Sequence, residues 1–233
     1  MQSKPQYLKN IFNNLLSLIY PAKCIACAKV LNHGTPLHIC KPCLSKFEFA
    51  DERVYGEFDF DYARAFFEYN DILRGIILDI KFGKKAHKMV SLANIAVSLA
   101  QEFGGEYEGF DSVVPVPLHA KRLKERGFNQ AKVLAEVIAE GLNLPMDNNI
   151  CIRKVDTMPQ SMMDRENRRD NVADVFAIAD GIDVSGKRFV LVDDVFTSGE
   201  TLNSLAAVFK ASGAESVVCI CVCIAHTKAR QVS

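Results

Sequence analysis

The sequence predicts an α/β protein, with a mostly parallel sheet flanked by helices and preceded by a small N-terminal module. Three observations carry this. Apolar runs of four to eight residues alternate with helical patterns through the second half of the chain. Such runs mark strands covered on both faces by crossover helices. Near the N-terminus four cysteines fall into two CxxC pairs, and 49% apolar with 24% charged residues is ordinary globular usage.

A length of 233 residues suits one α/β domain with an appendage. Lys and Arg total 28, as do Asp and Glu, so attraction to nucleic acid or an acidic membrane has to come from local patches. No apolar run approaches the ~18 residues that span a bilayer.

Taken in order, residues 7–19 (YLKNIFNNLLSLI) carry apolar side chains at helical spacing. The stretch lacks the unbroken apolar region and small-residue cleavage site of a secretory signal, so a cytoplasmic protein is expected. The expected role is a helix docked on the rest of the chain, with peripheral membrane association as the alternative.

Cys24, Cys27, Cys40 and Cys43 follow as CIAC and CKPC, twelve residues apart. Thiolates from two tight turns can face one tetrahedral ion, for which Zn²⁺ is the ordinary occupant, whereas two disulfides would suit a secreted chain. Four thiolates leave no open coordination position. The site is therefore expected to be structural, in a zinc-ribbon-like module over residues 1–50 that the metal holds together. Residues 51–233 form the main domain, with a hairpin and helices in 51–108 and a ligand-binding core in 109–233.

Residues 56–69 (GEFDFDYARAFFEY) read as a strand or hairpin. Helical patterns at 72–80 and 89–103 flank KFGKKAHK, whose Lys81, Lys84, Lys85 and Lys88 read as a solvated face or, with Lys124 and Arg126, as nucleic-acid contacts. Strands are expected at 110–116, 150–154, 173–178, 187–194 and 215–225, with helices at 130–141 and 201–211. In parallel sheets ligands sit beyond the carboxyl ends of the strands.

Three connections lie at that edge. PVPLHAKRLKERGFNQ (115–130) is cationic at a helix start, an arrangement suited to a many-oxygened anion. KVDTMPQSMMDRENRRDN (154–171) is long and has little to bury, which reads as a lid carrying Arg165, Arg168 and Arg169 or as a short exposed helix. In VLVDDVFTSGETL (190–202), Asp193 and Asp194 end a buried strand. Carboxylates there can accept hydrogen bonds from vicinal sugar hydroxyls or hold Mg²⁺ through water. Thr197 to Thr201 then turn into a helix whose first amides can cradle a phosphate. Thr197 with Glu200 also matches a capping box, which explains the turn without a ligand but leaves the adjacent carboxylates unexplained.

VLVDDVFTSGET closely resembles the phosphoribosyl pyrophosphate (PRPP) signature of type I phosphoribosyltransferases. With the four-cysteine module and the PVPLHAKRLKERGFNQ stretch, the chain as a whole resembles the ComF family. The resemblance implies a type I phosphoribosyltransferase fold, with 109–233 as the PRPP-binding core. Asp193 and Asp194 would then contact the ribose, and Thr197, Ser198, Gly199, Glu200 and Thr201 the 5′-phosphate. Leu118, His119, Ala120, Lys121 and Arg122 would form the pyrophosphate loop, and 154–171 the closing loop. Asp193, Asp194, Arg122 and Arg165 are the expected catalytic residues, with Mg²⁺ accompanying PRPP.

Threonine at 197 stands where 6-oxopurine salvage enzymes with a similar signature carry an aspartate base, which disfavours such an acceptor. The implied function is PRPP binding coupled to natural transformation, with incoming single-stranded DNA and the DNA-uptake machinery as partners. The alternative is a phosphoribosyltransferase of nucleotide metabolism, amidophosphoribosyltransferase-like or salvage, with no DNA role.

Overall fold

The computed structural model describes residues 21–32, 35–100, 105–154 and 175–225. The expected helix at 7–19 and nearly all of the 154–171 connection, Arg165 included, lie outside the described residues.

In the cysteine segment a short helix α1 (Lys41–Leu44) precedes a hairpin of β1 (Phe49–Val54) and β2 (Tyr62–Glu68). Helices α2 (Asp71–Gly83) and α3 (Ala86–Ala100) follow, then β3 (Ser112–Pro115), α4 (Ala120–Arg126) and α5 (Gln130–Leu142). The chain continues through β4 (Cys151–Arg153), β5 (Phe176–Ile178), β6 (Arg188–Phe196), α6 (Glu200–Ala211) and β7 (Ser216–Ile224). The main sheet runs β1-β2-β7-β6-β3; β2, β7, β6 and β3 are parallel and β1 is an antiparallel edge. The mostly parallel sheet is as expected.

Alternate residues of β6 and β7 enter two different cores, as the two-residue period of a strand requires. Val190, Val192, Val218 and Ile220 pack with Leu134 and Ile138 of α5, Leu92 of α3 and Ile76 of α2. Phe189, Leu191, Val217 and Cys219 pack with Leu205 and Phe209 of α6. Burying each such side chain contributes about 1.5–3 kcal/mol. Cys24, Ile25, Ile39, Cys43 and Phe47 belong to the first core, so the cysteine segment shares its interior with α2 and α3. β1 starts at Phe49 and runs across position 51.

Local chemistry sets the helix ends. Asn70 caps α2 by accepting the Leu73 N–H at 3.2 Å, and its amide donates to the Lys46 carbonyl. Asn129 caps α5 through the Ala131 N–H at 3.0 Å. Helices α3 and α5 pack so closely that a β-carbon at Gly141 would overlap Val97. Gly141→Ala is therefore expected to destabilise the fold by about 1–3 kcal/mol despite alanine's better helix propensity. Denaturant titration with an unchanged midpoint would contradict that packing.

Two expectations change. Residues 150–154 and 173–178 were expected as successive strands of the main sheet, but β4 and β5 form a separate antiparallel pair. Parallel neighbours need a crossover, usually a helix, and the polar sequence between these strands carries no apolar helical pattern. The lysine stretch is also only partly a solvated face. Lys88 is buried, with its ammonium on Asp79 Oδ2 at 2.6 Å and on the Ile25 carbonyl, and Lys85 lies 3.1 Å from Asp79. Lys88 is thereby removed from a nucleic-acid surface, while Lys84 and Lys124 are exposed.

Candidate functional site

The sulfur atoms of Cys24, Cys27, Cys40 and Cys43 all lie within 4.8 Å of one another. The Cys27–Cys40 sulfurs are 3.8 Å apart, close to the edge of a tetrahedron with metal–sulfur bonds of about 2.3 Å and far beyond a disulfide bond. Burial raises the Cys24 thiol pKa, but the backbone amides of Cys27, Cys40 and Ala26 outweigh it and bring it down to about 6. Burial and the three neighbouring sulfurs push Cys43 up to about 12. Crowded sulfurs of this kind fit a divalent cation that neutralises them.

The second site lies where the carboxyl end of β6 meets α2, α4 and α5. A cleft of about 250 Å³ brings together Asp193, Asp194, Thr197 and Thr201 with Leu118 and Arg122, all expected there, and with Lys81, Arg126 and Arg153. Four cationic side chains thus face two carboxylates, a surplus of positive charge suited to a polyanion. A larger groove, about 520 Å³ between the cysteine segment and the start of α2, has Lys46 opposite Glu48 and Asp71 and no such convergence.

Lys81 Nζ stands 2.7 Å from Asp194 Oδ2, an oxygen that is buried and has no further hydrogen-bond partner among the described residues. Lys81, expected on a nucleic-acid surface, is thus in the cleft because its carboxylate partner draws it inward. Burial works against its ammonium, but the Asp194 and Asp193 charges outweigh burial and raise its pKa. Asp193 Oδ1 accepts the Asp194 N–H at 2.8 Å. Burial first, and the adjacent Asp194 charge second, push the Asp193 carboxyl up to about 7.

Asp193 therefore binds its proton more tightly folded than unfolded, where about 4 is normal. Its favourable contribution is complete below about pH 4 and is lost as pH rises through about 7. Asp193→Asn is expected to raise the ligand-free melting temperature by a few degrees at pH 8 and to leave it nearly unchanged at pH 4. Equal shifts at both pH values would show that the carboxyl does not titrate in this range.

Gly199 caps α6 with φ of 80° and no side-chain hydrogen bond. The capping box expected from Thr197 and Glu200 does not form, because the cap falls two residues later than that motif needs. A β-carbon at Gly199 would stand 2.8 Å from the Phe196 ring and 3.2 Å from Phe58. Both backbone conformation and space thus require glycine.

Other expected residues stay outside the cleft wall. His119 caps α4 by accepting the Lys121 N–H at 3.4 Å, and Ala120 and Lys121 are exposed. Ser198 and Glu200 are exposed on the turn. Arg153 escaped the sequence reading; it ends β4 and lies over the Phe176 ring at 5.3 Å. Gln130 was also missed. It is buried in the cleft wall, and its Nε2 has no hydrogen-bond partner among the described residues. No helix among the described residues is long and apolar enough to cross a membrane.

The parallel sheet carries an acid pair and a glycine turn at its carboxyl edge, and residues 127–233 match the family described as phosphoribosyl transferase domain. The resemblance to competence protein F-type proteins is also borne out. The chain is 34% identical over 108 residues to Competence protein F of Haemophilus influenzae, covering 46% of this chain and 47% of that one. It is 29% identical over 159 residues to DNA utilization protein YhgH of Salmonella typhimurium, covering 67% and 69%. The match thus spans about half the length of the Haemophilus relative. Among solved structures, the chain is similar to glutamine phosphoribosylpyrophosphate amidotransferase from B. subtilis. That match has 23% identity, a TM-score of 0.38, and coverage of 65% of this chain and 28% of that one.

Proposed function

We propose that the cleft binds PRPP together with Mg²⁺, and that the protein serves natural transformation by handling incoming single-stranded DNA in the cytoplasm. The observation that carries the ligand assignment is the Asp193–Asp194 pair at the end of β6, faced by Lys81, Arg122, Arg126 and Arg153 beside the Gly199 turn. The carboxylates accept the ribose hydroxyls. Amides from Thr197 to Thr201 hold the 5′-phosphate at the amino end of α6. Arg122, with Arg165 from the 154–171 connection, balances the pyrophosphate. Mg²⁺ arriving with the ligand supplies further neutralising charge to the pyrophosphate oxygens, and Zn²⁺ in the four-thiolate centre is structural.

If the sugar is transferred, charge builds on the departing pyrophosphate, and fixed cations stabilise it without reorganising. Thr197 offers a hydroxyl and no carboxylate, which weighs against a 6-oxopurine acceptor. Micromolar affinity corresponds to about 8 kcal/mol, within reach of several charge-assisted hydrogen bonds of about 1.5–3 kcal/mol each. Calorimetry of the whole chain with PRPP, with and without Mg²⁺, tests the assignment. Heat of binding that requires Mg²⁺ is expected, and none at millimolar PRPP would overturn it.

The relatives' names, Competence protein F and DNA utilization protein, support the DNA role. Of the basic candidates, Lys84 and Lys124 are exposed and belong neither to the cleft nor to the ion pairs that Lys85 and Lys88 make with Asp79. Affinity for single-stranded DNA is expected to fall steeply between about 50 and 200 mM salt and to weaken on replacing both lysines.

A further inference from the structure

Lys81 belongs to α2, well before the segment that matches the phosphoribosyl transferase family at 127–233. Its ammonium nevertheless sits 2.7 Å from Asp194, one of the two acids of the cleft. We propose that Lys81 is a positioning residue of the sugar-phosphate site, fixing the Asp194 carboxylate for the ribose hydroxyls. The inference rests on the assignment of the cleft to a phosphoribosyl donor.

Three observations support it. Asp194 Oδ2 is buried and has no other hydrogen-bond partner among the described residues, so Lys81 is what holds that oxygen. Asp193 is already anchored through the Asp194 N–H, so Lys81 completes the constraint on the pair. The lysine is itself held from behind: two residues earlier on α2, Asp79 binds Lys88, and Lys88 also donates to the Ile25 carbonyl beside Cys24. The end of α2 is thereby tied to the four-cysteine loop at one side and to the acid pair at the other. The charged and titratable groups facing Lys81 are Asp193 and Asp194 on β6 and Arg126 on α4, with Tyr69 after β2 and Cys223 on β7 also within its field.

A buried carboxylate held by an ammonium keeps one orientation, and its second oxygen is then aimed. Without the lysine, the Asp194 carboxylate can turn, and ligands that use the acid pair weaken while those that use only the cations do not. The lysine ammonium has three N–H donors, so one can keep donating to Asp194 while the ligand occupies the cleft.

The test is calorimetry with Mg²⁺ and three probes, PRPP, ribose 5-phosphate and pyrophosphate, on wild type, Lys81→Met, Lys81→Arg, Asp194→Asn and the Lys81→Met/Asp194→Asn double variant. Lys81→Met is expected to weaken PRPP and ribose 5-phosphate by about tenfold or more and to leave pyrophosphate within about twofold. Lys81→Arg is expected to recover most of the loss, and adding Lys81→Met to Asp194→Asn to cost little more, since both act through one contact. Unchanged PRPP affinity in a folded Lys81→Met protein overturns the inference alone. Equal loss for pyrophosphate also overturns it, by showing a general charge effect. Absence of PRPP binding by the wild type overturns the donor assignment and this inference with it.

Discussion

Asp194→Asn is expected to weaken Mg²⁺-dependent PRPP binding by about a hundredfold or more. Two losses combine. A hydroxyl hydrogen bond to a carboxylate contributes about 1.5–3 kcal/mol, against about 0.5–1.5 kcal/mol for one to a neutral acceptor. The Lys81 ammonium, which sits 2.7 Å from Asp194 Oδ2, loses its nearest counter-charge and faces an amide in a largely enclosed position, which is costly. The ligand-free protein should therefore melt lower in Asp194→Asn, the opposite sign to Asp193→Asn above pH 7.

The two positions also separate by pH. With its carboxyl pushed up to about 7 by burial and by Asp194, Asp193 is largely neutral at pH 6, so replacing it should cost little affinity there and more at pH 8. Calorimetry across that interval reads both effects. Equal affinity of wild type and Asp194→Asn at pH 8 would remove the acid pair from ligand binding.

If the four-cysteine centre holds zinc, removing it by chelation or by Cys24→Ser is expected to lower the melting temperature by more than about 10 °C. Structural zinc centres contribute about 10–16 kcal/mol of apparent binding energy, comparable to the whole stability of a domain. Cys24 and Cys43 are buried in the core that also contains Leu73, Ile76 and Leu92, so the damage should reach α2 and α3. Parallel measurement of zinc released to a chromophoric chelator and of thermal melting tests this. Stoichiometric zinc release with melting changed by less than about 2 °C would show that the segment stands on its core alone.

Much of this architecture could be read from the chain because strong local signals agreed with the fold. The runs SVVP, RFVLVDDVF and SVVCICVCI became β3, β6 and β7, since strands buried on both faces admit little but apolar residues. The adjacent acids and the glycine turn announced themselves because few structural roles call for both. Where the reading departed, distance along the chain was the cause. Lys81 read as part of a basic stretch, yet it continues the four-residue spacing of Leu73 and Ile77, both buried in α2. That spacing was the available signal for an inward-facing lysine. Arg153 carried no comparable mark, because its place depends on β4 pairing with β5 away from the main sheet. Gln130 read simply as a helix start, and only packing shows it in the cleft wall.

Strand order sets how the protein can be divided. β7 lies between β2 and β6, yet β2 ends at Glu68 and β3 at Pro115, both before the family-matched segment begins at 127. A fragment cut at 127 would carry SVVCICVCI with one long flank unpaired and one face, with Val218, Ile220 and Val222, stripped of α2 and α3. Such a strand is a template for self-association, so expression of the family-matched half alone should yield aggregates. The recognisable half of this chain and its foldable unit are different lengths of polypeptide. Domain exchange with related proteins should therefore succeed only when the hairpin and the helices after it travel with the ligand-binding segment.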